Sequence, residues 1–180
     1  MEAEQHDLQE QIDAATQRLL DTAGRLTNAD IGQPSLLPDW TRGHVLSHLA
    51  RNADALRNLL TGARTGIEAP AYASAQARDD GINAGAPRSA AQQLADLTET
   101  AAAFRREAVS LPDQAWQAQV RILDNPPFPA TQVLTRRLVE VELHHADLGA
   151  GYGAADWPAS FAALERAEPM NTQRRDRARR

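Results

Sequence analysis

The chain has 180 residues, a formal net charge of -5 and an isoelectric point near 5.5. This is the size of one ordinary domain, and the acidic balance argues against a general binder of nucleic acid or anionic membranes. The absence of cysteine excludes disulfides, iron–sulfur clusters, thiolate zinc sites and a cysteine nucleophile. Alanine is the most frequent residue and aromatic residues make up only 4%. This composition favours closely packed helices over a β-sandwich or barrel.

Hydrophobic periodicity predicts four long amphipathic helices, which together indicate an all-α four-helix bundle. The predicted spans are about 8–27, 41–61, 89–110 and 130–148. Thr41 is a candidate N-cap for the second helix, and Ser89 opens a capping box with Gln92 at the third. Gly149 directly follows the fourth helix, as is typical of a helix C-terminus.

Long crossover connections join these helices. Residues 62–88 contain Gly, Ala and Pro, and a short helix is expected near 74–83. We assign residues 1–153 to the bundle and 154–180 to a short C-terminal extension. A short helix is expected there near 160–168, followed by an arginine-rich tail that we expect to be disordered.

Neither a secretory signal nor an apolar segment of membrane-spanning length is evident in the sequence. We therefore expect a cytoplasmic protein that binds neither membrane nor nucleic acid. The chain could assemble as a homo-oligomer.

Two of the predicted helices carry side chains that could hold a metal ion. Glu140 and His144 are four residues apart, so both project from one helical face. His48 lies on the apolar stripe of the second helix, which turns it inward. A carboxylate and two imidazoles from facing helices would form a three-ligand site that leaves one position open, as in catalytic zinc sites.

Other interpretations of these residues stay open. His44 and His48 are also four residues apart and form a rival pair, and a single inward histidine is often a hydrogen-bonded core residue. Arg137 and Asp147 continue the polar ridge of Glu140 and His144. They could be an exposed face with ordinary ion pairs, or they could orient the ligands or bind an anionic substrate.

Two segments resemble signatures of a known family. The segment PDWTRGHVLSHLARNAD (residues 38–54) resembles the first signature of the mycothiol-dependent maleylpyruvate isomerase family. The segment RLVEVELHHADLGAGY (residues 137–152) resembles the second, and residues 72–88 are similar to the family's connection after the second helix. The resemblance covers roughly residues 8–153. It implies a DinB-like four-helix bundle that binds a divalent metal, most simply zinc, through His48, Glu140 and His144.

The resemblance also implies an activity that suits a chain without cysteine. Mycothiol would supply the thiolate, which adds to the cis double bond of maleylpyruvate. Rotation and elimination would then complete an isomerisation, with no catalytic residue required beyond the metal site. Longer family members carry a second, C-terminal domain that could supply substrate-binding groups, so the identity of the substrate stays open. The alternatives are a mycothiol S-transferase acting on another electrophile and a non-catalytic helical module that binds a metal or small molecule.

Overall fold

The computed structural model describes residues 2–164 and 170–178. Its helices and strands are α1 (Glu2–Ala23), α2 (Asn28–Ile31), α3 (Arg42–Thr65), α4 (Ala75–Gly85), α5 (Ala90–Val109), β1 (Gln119–Val120), β2 (Phe128–Pro129), α6 (Thr131–Asp147), α7 (Ala159–Ala163) and α8 (Met170–Ala178). No helix in these two described ranges is long and apolar enough to cross a lipid bilayer.

The long helices α1, α3, α5 and α6 form a four-helix bundle. Helix α3 packs along α5 and α1 packs along α6, while contacts between α3 and α6 and between α1 and α5 close the arrangement. Leucines from all four helices fill the interior, among them Leu19, Leu56, Leu97 and Leu138. The predicted all-α bundle is confirmed.

The connections differ in detail from the predictions. The short helix expected near 74–83 is α4, which Ser74 caps by accepting a hydrogen bond from the Ala77 backbone N–H. Strands β1 and β2 form a small antiparallel pair before α6 that was not predicted, because two-residue strands carry no periodicity.

The C-terminal extension is more ordered than the prediction for its tail. Helix α7 corresponds to the first part of the helix expected near 160–168, while residues 165–168 lie outside the described residues. Helix α8 forms where disorder was expected, and it packs against α6.

The start of α3 is fixed by a capping box. The Thr41 hydroxyl accepts from the His44 backbone N–H, and the Thr41 backbone N–H donates to His44 Nδ1. These contacts satisfy backbone donors that the first helical turn would otherwise leave without a partner. The predicted N-cap at Thr41 is therefore confirmed.

The loop after α6 is tied to the same end of α3. Arg42, the first residue of α3, donates to the backbone carbonyls of Leu148 and Gly149. The Leu36 backbone N–H donates to the Asp147 carbonyl at 2.8 Å. These three hydrogen bonds hold the C-terminal end of α6 beside the N-terminal end of α3.

Glycines allow α4 to cross closely over the same part of α3. A Cβ atom at Gly43 would collide with the Ala86 carbonyl, and one at Gly85 would collide with the Ser47 hydroxyl. The buried Gln93 side chain of α5 donates to the carbonyls of Gly43, Gly85 and Ala86 and fastens the crossing. The N-terminal half of α3 is thus held from α4, α5 and α6.

Candidate metal centre

Helices α3 and α6 bring His48, Glu140 and His144 together. Glu140 Oε2 lies 2.9 Å from His48 Nε2 and 3.4 Å from His144 Nε2. One donor atom from each residue lies within 4.8 Å of the other two. The two imidazole rings stand almost perpendicular, with their centroids 4.6 Å apart. These three residues, on two helices that face each other, form one cluster of potential metal ligands.

Charge in the cluster is distributed unequally. Burial alone would raise the pKa of Glu140, but hydrogen bonding to His144 and His48 holds that pKa well below its usual range. Burial lowers the pKa of His48. Burial would also lower the pKa of His144, but hydrogen bonding to Asp147 and Glu140 raises it to about 9. The metal-free cluster therefore presents a carboxylate, a neutral imidazole and a protonated imidazole.

Two different kinds of contact orient the imidazole rings. His144 Nδ1 donates to Asp147 Oδ2 at 2.9 Å, which turns Nε2 toward the cluster. The His48 ring packs edge-on against Trp40, with centroids 5.6 Å apart. Within residues 2–164 and 170–178, no hydrogen-bond partner for the buried His48 Nδ1 is present. His48 is thus held by packing against Trp40 and by the Glu140 carboxylate, whereas the Nδ1 side of His144 is held by the Asp147 carboxylate.

The rival pair of His44 and His48 is not brought together as a site. The Nδ1 atom of His44 is engaged with the Thr41 hydroxyl at 2.8 Å and with the Thr41 backbone N–H. His44 lies outside the cluster of potential ligands. Its position in the capping box explains why a histidine stands there without implying metal binding.

Arg137 lies in the interior and connects the two helices that carry the potential metal ligands. Its side chain is 1% exposed, and Nη1 donates to the Leu49 carbonyl and to Asn52 Oδ1, each at 2.9 Å. Burial lowers the pKa of Arg137 to about 10. A guanidinium enclosed in this way joins α6 to α3 and has no free surface to offer a substrate.

Comparison with known proteins agrees with the predicted resemblance. The family model of the mycothiol maleylpyruvate isomerase N-terminal domain matches residues 12–149. The chain belongs to this family. A crystal structure of the mycothiol-dependent maleylpyruvate isomerase is similar at 30% sequence identity, and a histidine-to-alanine mutant structure of that enzyme at 29%. Both share a TM-score of 0.83 with this chain, and no curated protein matches it.

The structural match covers most of this chain but less of the solved enzymes. It spans 87% of this chain and 65% of each crystal structure. The bundle of this chain therefore has the fold of the mycothiol-dependent maleylpyruvate isomerase, and the predicted DinB-like helical class is confirmed. All three clustered side chains fall within the family match.

This family member also holds a second polar cluster, formed by α1, α6 and the segment after α6. Glu142, which is 1% exposed, receives hydrogen bonds from Arg18 at 2.6 Å and from the Tyr152 hydroxyl at 2.5 Å. His145 stacks on the Tyr152 ring at 3.8 Å and contacts the Thr22 hydroxyl at 2.9 Å. Neighbouring residues project about 100° apart around a helix, so His144 and His145 enter different clusters.

Sequence reasoning missed two residues that interact with the cluster of potential metal ligands or with its neighbour Asp147. Tyr72 precedes α4, and burial together with the charge of Glu140 raises its pKa to about 12. Arg177 of α8 donates to both carboxylate oxygens of Asp147. Tyr72 lies in the segment that resembles the family, which is a usable signal. Arg177 lies beyond the family match, in a tail whose composition suggested disorder.

Proposed function

We propose that this chain is a metal-dependent enzyme that uses mycothiol as its thiol, of the maleylpyruvate isomerase type. The observation that carries the proposal is the convergence of His48, Glu140 and His144 within 4.8 Å. The family match and the similar isomerase structures support the choice of thiol and reaction class.

The residues present suit a divalent ion, and zinc in particular. Imidazole nitrogens and a carboxylate oxygen are common zinc ligands, and three protein ligands typify catalytic sites. Two ligand atoms about 2.1 Å from one ion at a tetrahedral angle lie roughly 3.4 Å apart. The distance between Glu140 and His144 is 3.4 Å, and the 2.9 Å between Glu140 and His48 is a hydrogen-bond distance. Binding a cation would require His144 to release its Nε2 proton to solvent and His48 to carry its proton on Nδ1 instead of Nε2.

The chain's own residues prepare the site for thiol chemistry. Two neutral imidazoles and one carboxylate would leave a divalent ion with a net charge of about +1, and such an ion would lower the pKa of a thiol bound to it. Asp147 holds the Nδ1 proton of His144, so that this histidine presents Nε2. Burial of His48 keeps its imidazole neutral. The thiolate of mycothiol would add to the cis double bond of the substrate, and rotation followed by elimination would restore the thiol.

An S-transferase reaction is the second candidate. The family match covers an N-terminal domain, and the solved isomerases extend beyond the aligned region. The proposed metal ligands lie inside the matched domain. The residues that select the electrophile could lie in the part of the solved isomerases outside the aligned region. Thiolate attack without elimination would leave a stable S-conjugate. A maleylpyruvate-type electrophile and other small electrophiles are therefore both proposed substrates.

The ligand set is tested by removing one side chain at a time. His48→Ala, Glu140→Ala and His144→Ala should each reduce bound zinc toward zero in the purified protein, measured by elemental analysis. His44→Ala is the matched control, because it removes an imidazole from the same helix as His48 without touching the cluster. Full zinc occupancy in His144→Ala would refute the assignment.

The thiol chemistry is tested with cobalt in place of zinc. Adding mycothiol to the cobalt protein should produce a sulfur-to-metal charge-transfer band, and a panel beginning with maleylpyruvate should show which electrophile is consumed. Recovery of free thiol after turnover indicates an isomerase, and accumulation of an adduct indicates a transferase. Absence of both the band and electrophile consumption would favour a non-catalytic binding module.

A further inference from the structure

Helix α8 contributes a charged side chain to the metal-binding end of α6. Arg177 Nε lies 3.0 Å from both Asp147 carboxylate oxygens, and Nη2 lies 2.6 Å from Oδ2. The Arg177 side chain is 11% exposed and the Asp147 side chain is 1% exposed. A largely enclosed arginine that reaches both oxygens of a buried carboxylate is a directional contact, unlike a loose surface ion pair.

Asp147 passes this contact on to a potential metal ligand. The Oδ2 atom that receives Arg177 Nη2 also accepts the Nδ1 proton of His144 at 2.9 Å. The backbone of Asp147 is fixed separately by the hydrogen bond from Leu36. Arg177 is therefore one of the groups that restrain rotation of the Asp147 side chain.

Charge gives the contact a second role. A buried carboxylate is costly unless a positive group compensates it. His144 would be neutral while it acts as a ligand, because Nε2 then uses its lone pair for the cation. Arg177 is permanently charged and would continue to compensate Asp147 in that state.

We infer that Arg177 is a positioning residue for His144, acting through Asp147. This inference rests on the proposed metal-dependent function and goes beyond it, because Arg177 lies outside the family match at residues 12–149. The series Arg177–Asp147–His144 keeps the His144 ring in the orientation that presents Nε2 to the cluster. The C-terminal helix of this chain thereby takes part in its metal site without supplying a ligand.

The test uses the full chain and measures cobalt affinity by competition with a chelator. Arg177→Ala should weaken cobalt binding by about 3- to 10-fold, the lower part of the range for residues that orient metal ligands. Arg177→Lys should recover part of the loss, because it keeps the charge but not the two-pronged geometry. Arg175→Ala is the matched control: Arg175 is an exposed arginine of the same helix whose side chain contacts Thr172, and its loss should leave the affinity unchanged.

A double-mutant cycle separates the action of Arg177 through Asp147 on His144, which we call the relay, from a general effect of α8. In an Asp147→Asn background, adding Arg177→Ala should produce less than a 2-fold further change, because the carboxylate through which Arg177 acts is gone. Equal affinities for Arg177→Ala and Arg175→Ala would overturn the inference. Fully additive effects in the double variant would overturn it as well.

A measurement without metal distinguishes failure of this inference from failure of the proposed function. In the metal-free protein, nitrogen-15 NMR should show a slowly exchanging His144 Nδ1 proton. Arg177→Ala should accelerate its exchange and Arg175→Ala should not. If the wild-type protein binds no cobalt or zinc, the proposed function fails. The NMR comparison still shows whether Arg177 positions His144 through Asp147. If the wild-type protein binds metal and Arg177→Ala changes neither readout, the relay alone fails.

Discussion

Replacing the buried Arg137 tests whether its hydrogen bonds repay the cost of burying its charge. Burial lowers the pKa of Arg137 from 12.5 to about 10 even though the charge of Glu140 opposes the shift, which corresponds to a net penalty of about 3 kcal/mol on the charged form. Arg137→Met removes that cost but leaves Asn52 Oδ1 without its donor, at about 1–3 kcal/mol. The Leu49 carbonyl retains its helical partner. The single variant should therefore change the free energy of unfolding by less than about 2 kcal/mol.

Removing the orphaned acceptor as well makes the prediction directional. Arg137→Met with Asn52→Leu replaces a buried polar pair by apolar side chains, and such replacements commonly stabilise proteins by about 1–4 kcal/mol. We expect this double variant to be more stable than the wild type in urea unfolding of the metal-free protein, with an unchanged m-value. Its zinc affinity should fall, because the hydrogen bonds that join α6 to α3 are lost. A double variant less stable than the wild type by more than about 1 kcal/mol would refute the reasoning.

Three further changes test other parts of the structure. Burial lowers the pKa of His145 from 6.5 to about 4, so the unfolded chain binds a proton at this residue more readily than the folded protein does. The contribution of His145 to stability is therefore complete above pH 6.5 and is lost as the pH falls from 6.5 to 4. His145→Phe should flatten the decline of urea midpoints between pH 7 and pH 4.5; an unchanged slope would contradict the shift. Gly43→Ala should destabilise the protein by about 1–3 kcal/mol in the same assay, since its Cβ would collide with the Ala86 carbonyl. A neutral effect would mean that the end of α4 can shift away from α3 at little cost. Asp147→Asn should weaken zinc binding by about 10- to 100-fold in a chelator competition, and wild-type affinity would show that His144 needs no carboxylate partner.

The sequence contained enough information to predict the bundle and the proximity of His48, Glu140 and His144. Four amphipathic stripes define four helices, and the spacing of Glu140 and His144 is purely local. The inward position of His48 follows from the apolar stripe on its own helix. These features depend on short-range geometry, and short-range geometry can be deduced from residue spacing.

The roles of Arg137 and Arg177 depend on long-range packing and could not be predicted in that way. Periodicity placed Arg137 on a polar ridge but could not show that this part of the ridge faces Leu49 and Asn52 of another helix. The composition of the tail favours disorder when it is considered alone. In the structure, Arg177 of this tail contacts Asp147, which lies 30 residues earlier in the chain. Hydrophobic pattern predicts a face of a helix, and the partner of that face is set by the tertiary fold.

The positions of the three potential metal ligands along the chain have a consequence for how the protein is made. His48 precedes Glu140 by 92 residues, and His144 follows Glu140 by only four. At a synthesis rate of about 5–20 residues per second, His48 leaves the ribosome roughly 5–18 s before Glu140 and His144. During that interval α3 can begin to fold against α5, yet it can offer a cation only one imidazole. The nascent chain therefore completes this set of potential ligands only when α6 docks, so that assembly of the set and closure of the bundle become one late event.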